Sequence, residues 1–302
     1  MKPFLPYNRL YHYRSFETAK NHILPEKKLR LSPIVNTNDP RENRSFIFST
    51  IYNDDNHDWI RRNQRVSDFL RKDCKILCFS DDNKDHFWGY SYSRMWALYG
   101  GNHRGICLGL DKKEFIMENI GFINKFLFKK VIYEQHKMTE QPQWRTVDFT
   151  KLNDIGEEKY LREVFRVENL DYLFFTKNKE WESEEEIRLL YFSDNENPEY
   201  CSIKNSLKKI YLGVDFDYSN IDELIKLCPD VDIYKLEFKG HKTKNFSAFS
   251  SYKNSLVLLP FRSAENTISE CPPRSVSREA LCEISETRNQ NHEIWIKKFG
   301  TR

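Results

Sequence analysis

Three charged residues at alternate positions, Glu184, Glu186 and Arg188, give the strongest chemical signal in the sequence. They lie in residues 181–192, where a charge cluster runs into the apolar sequence Ile-Arg-Leu-Leu-Tyr-Phe. Alternate residues of a strand share one face, so two carboxylates and a guanidinium would project together, opposite an apolar face. The acidic first turn of a helix is the alternative interpretation. The β-branched and aromatic residues favour the strand.

Paired carboxylates suit a reaction in which positive charge develops or a proton is removed. Neighbouring carboxylates raise one another's pKa, so one of Glu184 and Glu186 is expected to act as a general base near neutral pH. Arg188 would hold Glu186 in place, pair with Glu184 or bind phosphate.

Two other functions are compatible with the same residues. Asp171, Glu184 and Glu186 would hold Mg²⁺ in a nuclease. That chemistry favours a Lys where Arg188 stands, because a guanidinium transfers protons poorly. Alternatively, the acidic and aromatic residues would recognise a nucleotide or a peptide in a non-catalytic sensor module.

Composition limits the class of protein. The 302 residues suffice for one large domain or two small ones, and a net charge of +3 gives no electrostatic case for bulk nucleic-acid binding. The 7 cysteines have no pairing rhythm, which indicates a reducing compartment rather than a disulfide scaffold. The sequence has no signal peptide and no apolar run of membrane-spanning length, so we expect a cytoplasmic protein without a membrane partner.

The hydrophobic patterns predict an α+β protein. The predicted strands cover residues 10–14, 29–32, 76–80, 129–133, 181–192, 207–214 and 231–238, with a further strand ending the segment 93–110. The predicted helices cover residues 15–24, 55–73, 112–128, 148–177 and 219–227, with Ser15 capping the first and Ser219 or Asn220 the last. Pro33 is expected to stop the second strand, and residues 36–42 are expected to form a turn.

The same patterns predict one catalytic-type domain over residues 1–262. Beyond Pro260 the composition shifts to Ser, Glu, Arg and Asn, with Cys271-Pro272-Pro273 as a breaker. Residues 263–302 are therefore predicted to be a C-terminal extension, partly helical over 276–298. It would be either an appendage that binds a partner protein or a loosely attached helix.

Several motifs occur in a definite order along residues 10–240. They are Leu-Tyr-His-Tyr-Arg-Ser at 10–15, Leu-Arg-Leu-Ser at 29–32, Asn-Asp-Pro-Arg-Glu at 38–42, Met-Trp-Ala-Leu-Tyr at 95–99, His-Arg-Gly at 103–105 and Trp-x-x-Glu-x-Glu-x-Arg at 181–188. In this order the motifs resemble the bacterial domain-of-unknown-function family twenty-nine seventy-one.

That family's layout resembles the ADP-ribosyltransferase fold, with split mixed and antiparallel sheets flanked by helices. The resemblance implies that NAD is a substrate and that no metal is needed. It also implies transfer of ADP-ribose to an unknown acceptor, such as a nucleic acid or a nucleotide, and a role as a toxin or a phage-defence effector. These implications rest on analogy of layout.

The resemblance also implies roles for individual residues. Glu186 would stabilise the oxocarbenium-like centre at the ribose, and Glu184 would orient or activate the acceptor. Ser80 or Tyr99 would supply the middle element of the transferase triad. The residues expected around NAD are Tyr11, His12, Tyr13, Arg14, Ser32, Asn38, Asp39, Ser80, Trp96, Tyr99 and His103.

Each of these residues also has a structural interpretation. Trp96 and Tyr99 would pack in the core, and His12 would be a partly buried structural histidine. Asn38 and Asp39, together with Glu42, would cap a turn rather than close the site.

Overall fold

The computed structural model describes residues 8–44, 46–50, 59–82, 88–121, 123, 127–135, 145–193, 197–239 and 242–249. The chain divides into two compact units, Met1–Lys253 and Asn254–Arg302. The second unit lies outside the described residues, as does the predicted extension 263–302 with its helix at 276–298. That extension and the boundary at residue 262 stay predictions.

Strands make up the centre of the described structure. They are β1 (Arg9–Arg14), β2 (Lys28–Arg30), β3 (Ser32–Pro33), β4 (Ser49–Thr50), β5 (Cys74–Ser80), β6 (Ile106–Asp111), β7 (Phe128–Lys130), β8 (Ile132–Glu134), β9 (Thr146–Val147), β10 (Thr176–Asn178), β11 (Glu186–Phe192), β12 (Tyr200–Ser202), β13 (Leu207–Leu212), β14 (Asp232–Lys239) and β15 (Lys242–Phe249). The large sheet has the order β15-β14-β13-β6-β1-β5-β11-β7, and β3 also pairs with β5.

The large sheet is mixed, because β13 and β14 are parallel whereas its other pairs are antiparallel. Three pairs lie outside it, namely β10 with β8, β12 with β2 and β4 with β9. The predicted α+β class is therefore confirmed at the level of a mixed sheet with helices.

Helices surround the sheet. They are α1 (Phe16–Thr18), α2 (Pro40–Asn43), α3 (Trp59–Lys72), α4 (Ser93–Leu98), α5 (Lys112–Glu118), α6 (Phe149–Ile155), α7 (Glu157–Lys159), α8 (Arg166–Glu168), α9 (Leu170–Phe174) and α10 (Ile221–Leu227). Ala19–Ile23 and Tyr160–Phe165 are π-helical, and Ile34–Asn36, Lys179–Glu184 and Tyr218–Asn220 are 3₁₀ turns.

Both faces of the sheet are buried against apolar side chains. On one face, Leu10, Phe79 and Ile187 belong to a single core cluster. On the other face, Ile76 and Leu190 belong to a second cluster that packs under the helices. This alternation follows the period of two along β1, β5 and β11. It places Glu186 and Arg188, which precede Leu190 at alternate positions of β11, on the second face.

Several local predictions are confirmed and others are wrong. Ser15 caps the first helix, since its hydroxyl accepts from the Thr18 backbone N–H. The strand predicted over 29–32 is divided into β2 and β3, and β3 does end at Pro33, after which a 3₁₀ turn begins. The helix predicted over 112–128 ends at Glu118. Asn220 is the N-cap residue of α10, as predicted, although its side chain makes no capping bond, and Asp217 caps the preceding 3₁₀ turn by accepting from the Ser219 N–H.

Two predictions from composition concern cysteines and membranes. The cysteines in the described part of the chain, Cys74, Cys78, Cys107, Cys201 and Cys228, are all free thiols. In the same ranges, every helix is too short or too polar to cross a bilayer.

The strand predicted over residues 181–192 begins only at Glu186. Lys179–Glu184 forms a 3₁₀ turn, which ends at Glu185 in the left-handed conformation with φ 45°. Glu184 therefore does not share a strand face with Glu186. Its carboxylate reaches the same place because the left-handed residue turns the chain between the two elements, while Glu185 itself pairs with Lys130 at 2.6 Å.

We expect Glu185→Gly to keep the fold, because glycine adopts positive φ without a steric cost and the lost pair with half-exposed Lys130 is worth little. Glu185→Val should be less stable than Glu185→Gly by about 1–2 kcal/mol, because a β-branched side chain clashes in this conformation. Urea unfolding of both variants measures the difference. Equal stabilities would show that this turn does not constrain the chain.

Candidate active site between strands β1 and β5

A cavity of about 470 Å³ opens within the large sheet, beside β5. Along its whole length β5 pairs with β11 on one edge. On its other edge it pairs with β1 only at Ser80 and with β3 only at Ile76 and Lys75. Residues 77–79 of that edge therefore face the cavity rather than a paired strand.

Most of the predicted site residues line this cavity. They are Tyr11, His12, Tyr13, Arg14, Ser32, Asn38, Ser80, Tyr99, Glu184, Glu186 and Arg188. The residues come from β1, β3, β5, β11, α4 and two short turns, so segments far apart in sequence meet at one place.

Three of the lining residues form a row across adjacent strands. Tyr11 of β1 lies opposite Ser80 of β5, and Ser80 lies opposite Glu186 of β11. Directly opposed residues share a face, so a phenol, a hydroxyl and a carboxylate point to the same side of the sheet. The next row on that face contains Cys78 opposite Arg188.

Arg188 is the centre of a buried charge network. Its side chain is 0% exposed. Its Nε and Nη2 donate to the two carboxylate oxygens of Glu186 at 2.6 and 3.0 Å, which is a bidentate pair. Its Nη1 donates to Glu42 Oε1 at 2.6 Å and to the Phe174 carbonyl at 2.7 Å. The predicted pairing of Arg188 with Glu186 is present, whereas Glu184 is not among its partners in the described contacts.

Lys177 is the second cation of the network and was not predicted from the sequence. Its ammonium lies 2.7 Å from Glu186 Oε2, 2.9 Å from Glu184 Oε2 and 3.9 Å from Glu42 Oε2. The other oxygen of Glu184 accepts from the Tyr99 hydroxyl at 2.9 Å. Nothing local marks Lys177, since it lies in a polar stretch of β10 outside the periodic motifs.

The network fixes the ionisation of its carboxylates. Burial alone would raise the pKa of Glu186, but Arg188 and Lys177 outweigh burial and lower that pKa well below its usual range. Burial raises the pKa of Glu42, although Arg188 and Lys177 oppose the shift. The prediction that Glu184 and Glu186 would raise one another's pKa is therefore wrong for Glu186, because two cations, Arg188 and Lys177, contact its carboxylate.

His12 is neutral in this environment. Burial, helped by the nearby Arg14, lowers the pKa of His12 to about 3. Its Nδ1 lies 2.9 Å from the Cys78 carbonyl, which can only accept, so Nδ1 carries the proton and Nε2 is left as an acceptor. The ring packs on Phe79 with centroids 5.7 Å apart, on the face opposite Tyr11.

Three hydroxyls and one guanidinium of residues in the cavity wall lack hydrogen-bond partners among the described residues. The hydroxyls of Tyr11, Ser80 and Thr37 are buried and make no hydrogen bond. The guanidinium of Arg14 forms no hydrogen bond or ion pair in the described contacts, and burial lowers its pKa. Buried polar groups are normally satisfied, so these atoms are suited to bind a ligand.

Three predicted residues do not line the cavity. Asp39 caps α2 by accepting from the Arg41 N–H at 2.9 Å. Trp96 is fully buried, and its indole donates to the Tyr90 carbonyl at 2.8 Å, so the core-packing interpretation holds for it. His103 lies in the loop after α4 with φ 66°. From the sequence pattern alone, a capping residue such as Asp39 or a core residue such as Trp96 could not be distinguished from a residue that contacts a ligand.

The nuclease alternative finds little support in the geometry. Asp171 pairs with Lys129 and is about half exposed, away from the contacts of Glu184 and Glu186. Across the part of the chain that the structure describes, no group of three or more His, Cys, Asp or Glu side chains is arranged to hold a metal ion.

A family model described as Protein of unknown function (DUF2971) matches residues 95–189. The predicted family resemblance is confirmed over this segment. The DUF2971 segment includes Tyr99, Lys177, Glu184, Glu186 and Arg188, so it carries most of the charge network. No curated protein and no solved structure matches the chain.

We expect Arg188→Met to lower the free energy of unfolding by about 3–5 kcal/mol at pH 7, because it leaves Glu186 and Glu42 buried without their main cation. The matched control is Arg94→Met, which removes an exposed arginine near the same turn and should cost less than about 1 kcal/mol.

The deficit of Arg188→Met should depend on pH. In the wild type, the lowered pKa of Glu186 contributes stability above the unfolded pKa of about 4.3, and this contribution is lost as the pH falls towards the folded pKa. Removing Arg188 raises the folded pKa, so the deficit should shrink between pH 7 and pH 4. Urea unfolding across this range measures it, and a constant deficit would contradict the assignment.

Proposed function

We propose that the chain is an ADP-ribosyltransferase-like enzyme, in fold and in activity, which cleaves NAD between nicotinamide and ribose. One observation carries the proposal. A single cavity has Glu186 in a row with Ser80 and Tyr11 at one end and the partner-free guanidinium of Arg14 in the same wall. This arrangement matches a substrate with a reactive glycosidic bond and an anionic diphosphate.

The chemistry requires a fixed negative charge beside the ribose. The C–N bond to nicotinamide breaks with its electron pair going to nicotinamide, which leaves an oxocarbenium-like ribose. Glu186 suits this step because it stays ionised at neutral pH. Arg188 and Lys177 make three contacts with the carboxylate, one to Oε1 and two to Oε2, so a lone pair of Oε1 is left to accept the ribose 2-hydroxyl.

Completion of the reaction requires an acceptor that adds its nucleophilic atom to the ribose carbon and loses a proton. Glu184 is the carboxylate next to Glu186, and it keeps contacts with Tyr99 and Lys177. We assign to Glu184 the orientation of the acceptor, which the resemblance suggests is a nucleic acid or a nucleotide. For the middle triad position we favour Ser80, because it lies directly opposite Glu186 in the sheet, whereas the Tyr99 hydroxyl donates a hydrogen bond to Glu184.

The diphosphate would lie towards Arg14. Arg14 follows Tyr11 by three residues on β1, which is roughly 10 Å at the usual rise of a strand. Thr37, Asn38 and Ser15 line the same cavity and offer neutral donors. The half-buried guanidinium of Arg14, which has no carboxylate partner in the described contacts, would attract phosphate oxygens through charge-assisted hydrogen bonds.

Incubation with NAD tests the reaction directly. We expect nicotinamide release that EDTA does not alter, and a decrease in kcat of about 10²–10³-fold for Glu186→Gln, because the neutral amide cannot stabilise the developing charge. The matched control is Glu182→Gln, since Glu182 is exposed on the preceding turn. Equal rates for Glu186→Gln and wild type would overturn the proposal, as would nicotinamide release that requires Mg²⁺.

A second variant tests the anionic end. Arg14→Gln should raise the KM for NAD by about 10-fold or more, the loss of one charge-assisted contact. The same change should leave the KM for nicotinamide riboside unaltered, because that compound lacks the diphosphate. If both substrates lose affinity equally, Arg14 does not contact the diphosphate.

A further inference from the structure

Lys177 occupies an unusual position between two carboxylates. The Nζ atom lies within hydrogen-bond distance of both Glu184 Oε2 and Glu186 Oε2, at 2.9 and 2.7 Å. The lysine side chain is 6% exposed, so bulk water does not screen these contacts. The ring of Trp181 covers it, with Nζ 5.5 Å from the ring centroid.

The other groups around this pair cannot replace Lys177. Arg188 donates to Glu186 and Glu42, and its described contacts do not include Glu184. Tyr99 donates a neutral hydroxyl to Glu184. Lys177 is therefore the cation that touches Glu184 within the described contacts, and it joins Glu184 to the rest of the network.

A cation at this point determines how many protons the pair holds. Without Lys177, Glu186 would still be paired with Arg188, whereas Glu184 would be a buried carboxylate beside it with no cation among the described contacts. Repulsion between the two carboxylates would then favour retention of a proton by one of them. With an ammonium between them, both can be ionised. The turn at Glu185 brings Glu184 and Glu186 to the same side, where both carboxylates contact the Lys177 ammonium.

We propose that Lys177 is a positioning residue that holds Glu184 and Glu186 side by side in their ionised forms. The catalytic consequence rests on the proposed function, since an ionised Glu186 is what the cleavage of NAD requires. The effect on the proton count of the pair does not rest on it and is present in the resting protein.

The test uses stability across pH. We expect Lys177→Met to lower the Tm most at pH 8 and progressively less as the pH falls to 5. The reason is that the unbridged pair has a raised folded pKa, so protonation below it relieves the repulsion. Lys177→Arg, which keeps a cation, should show little of this pH dependence. Lys179→Met, a change at an exposed lysine of the adjoining turn, is the matched control.

The double variant Lys177→Met/Glu184→Gln separates positioning from simple packing. Removal of one carboxylate charge should restore much of the Tm that Lys177→Met loses at pH 8. This comparison also holds if Lys177→Met alone fails to fold, because the double variant should then fold where the single one does not. A Tm deficit that is independent of pH, or one that Glu184→Gln does not relieve, would overturn the proposal.

Cleavage of NAD by the same variants distinguishes the two proposals. If the wild type releases nicotinamide, Lys177→Met should move the acidic limb of the kcat profile upward by one pH unit or more, and Lys177→Arg should not. If the wild type releases none while the Tm pattern is found, the proposed function fails and the role of Lys177 stands. If the wild type releases nicotinamide but the Tm pattern is absent, the proposed function stands and the role of Lys177 fails.

Discussion

The structure depends on ion pairing between buried carboxylates and buried cations. Glu42, Glu184 and Glu186 meet Lys177 and Arg188 in contacts between 2.6 and 3.9 Å. Each isolated charge would cost several kcal/mol in such a place, so the network is stable only when it is complete. The elements that carry it are α2, β10, the 3₁₀ turn before β11 and β11 itself, and they are therefore held together by electrostatics as well as by packing.

The local pattern of the sequence was sufficient for β1, β5 and β11, the strands that carry the row of Tyr11, Ser80 and Glu186, but it did not predict β4, β9, β10, β12 or β15. The period of two along residues 10–14, 76–80 and 181–192 placed Tyr11, Ser80 and Glu186 on strands, and the structure brings them into one row. The motif order also led to the DUF2971 resemblance, which the match over residues 95–189 confirms. These features depend on residues close together in the chain, where periodicity carries information.

The electrostatics of the site could not be predicted in the same way. Lys177 and Glu42 are 135 residues apart in sequence and meet only in the folded chain, so no local sequence spacing predicts their contact. From local sequence alone, the Glu184–Glu186 pair resembles a general base with a raised pKa, whereas in the folded chain Arg188 and Lys177 lower the pKa of Glu186 well below its usual range. The turn at Glu185 was missed for a related reason, since the acidic run has no glycine to mark a positive φ.

The gap in the sheet beside β5 has a consequence for how recognition is encoded. A ligand in this cavity takes the place of a missing strand segment and lies beside the backbone of residues 77–79, whose peptide groups are common to every amino acid except proline. The Cys78 carbonyl already illustrates this, because it binds the imidazole of His12 rather than a neighbouring strand. Part of the binding specificity would then depend on backbone N–H and C=O groups rather than on side chains. Related chains could therefore carry different side chains at residues 77–79 and bind the same ligand.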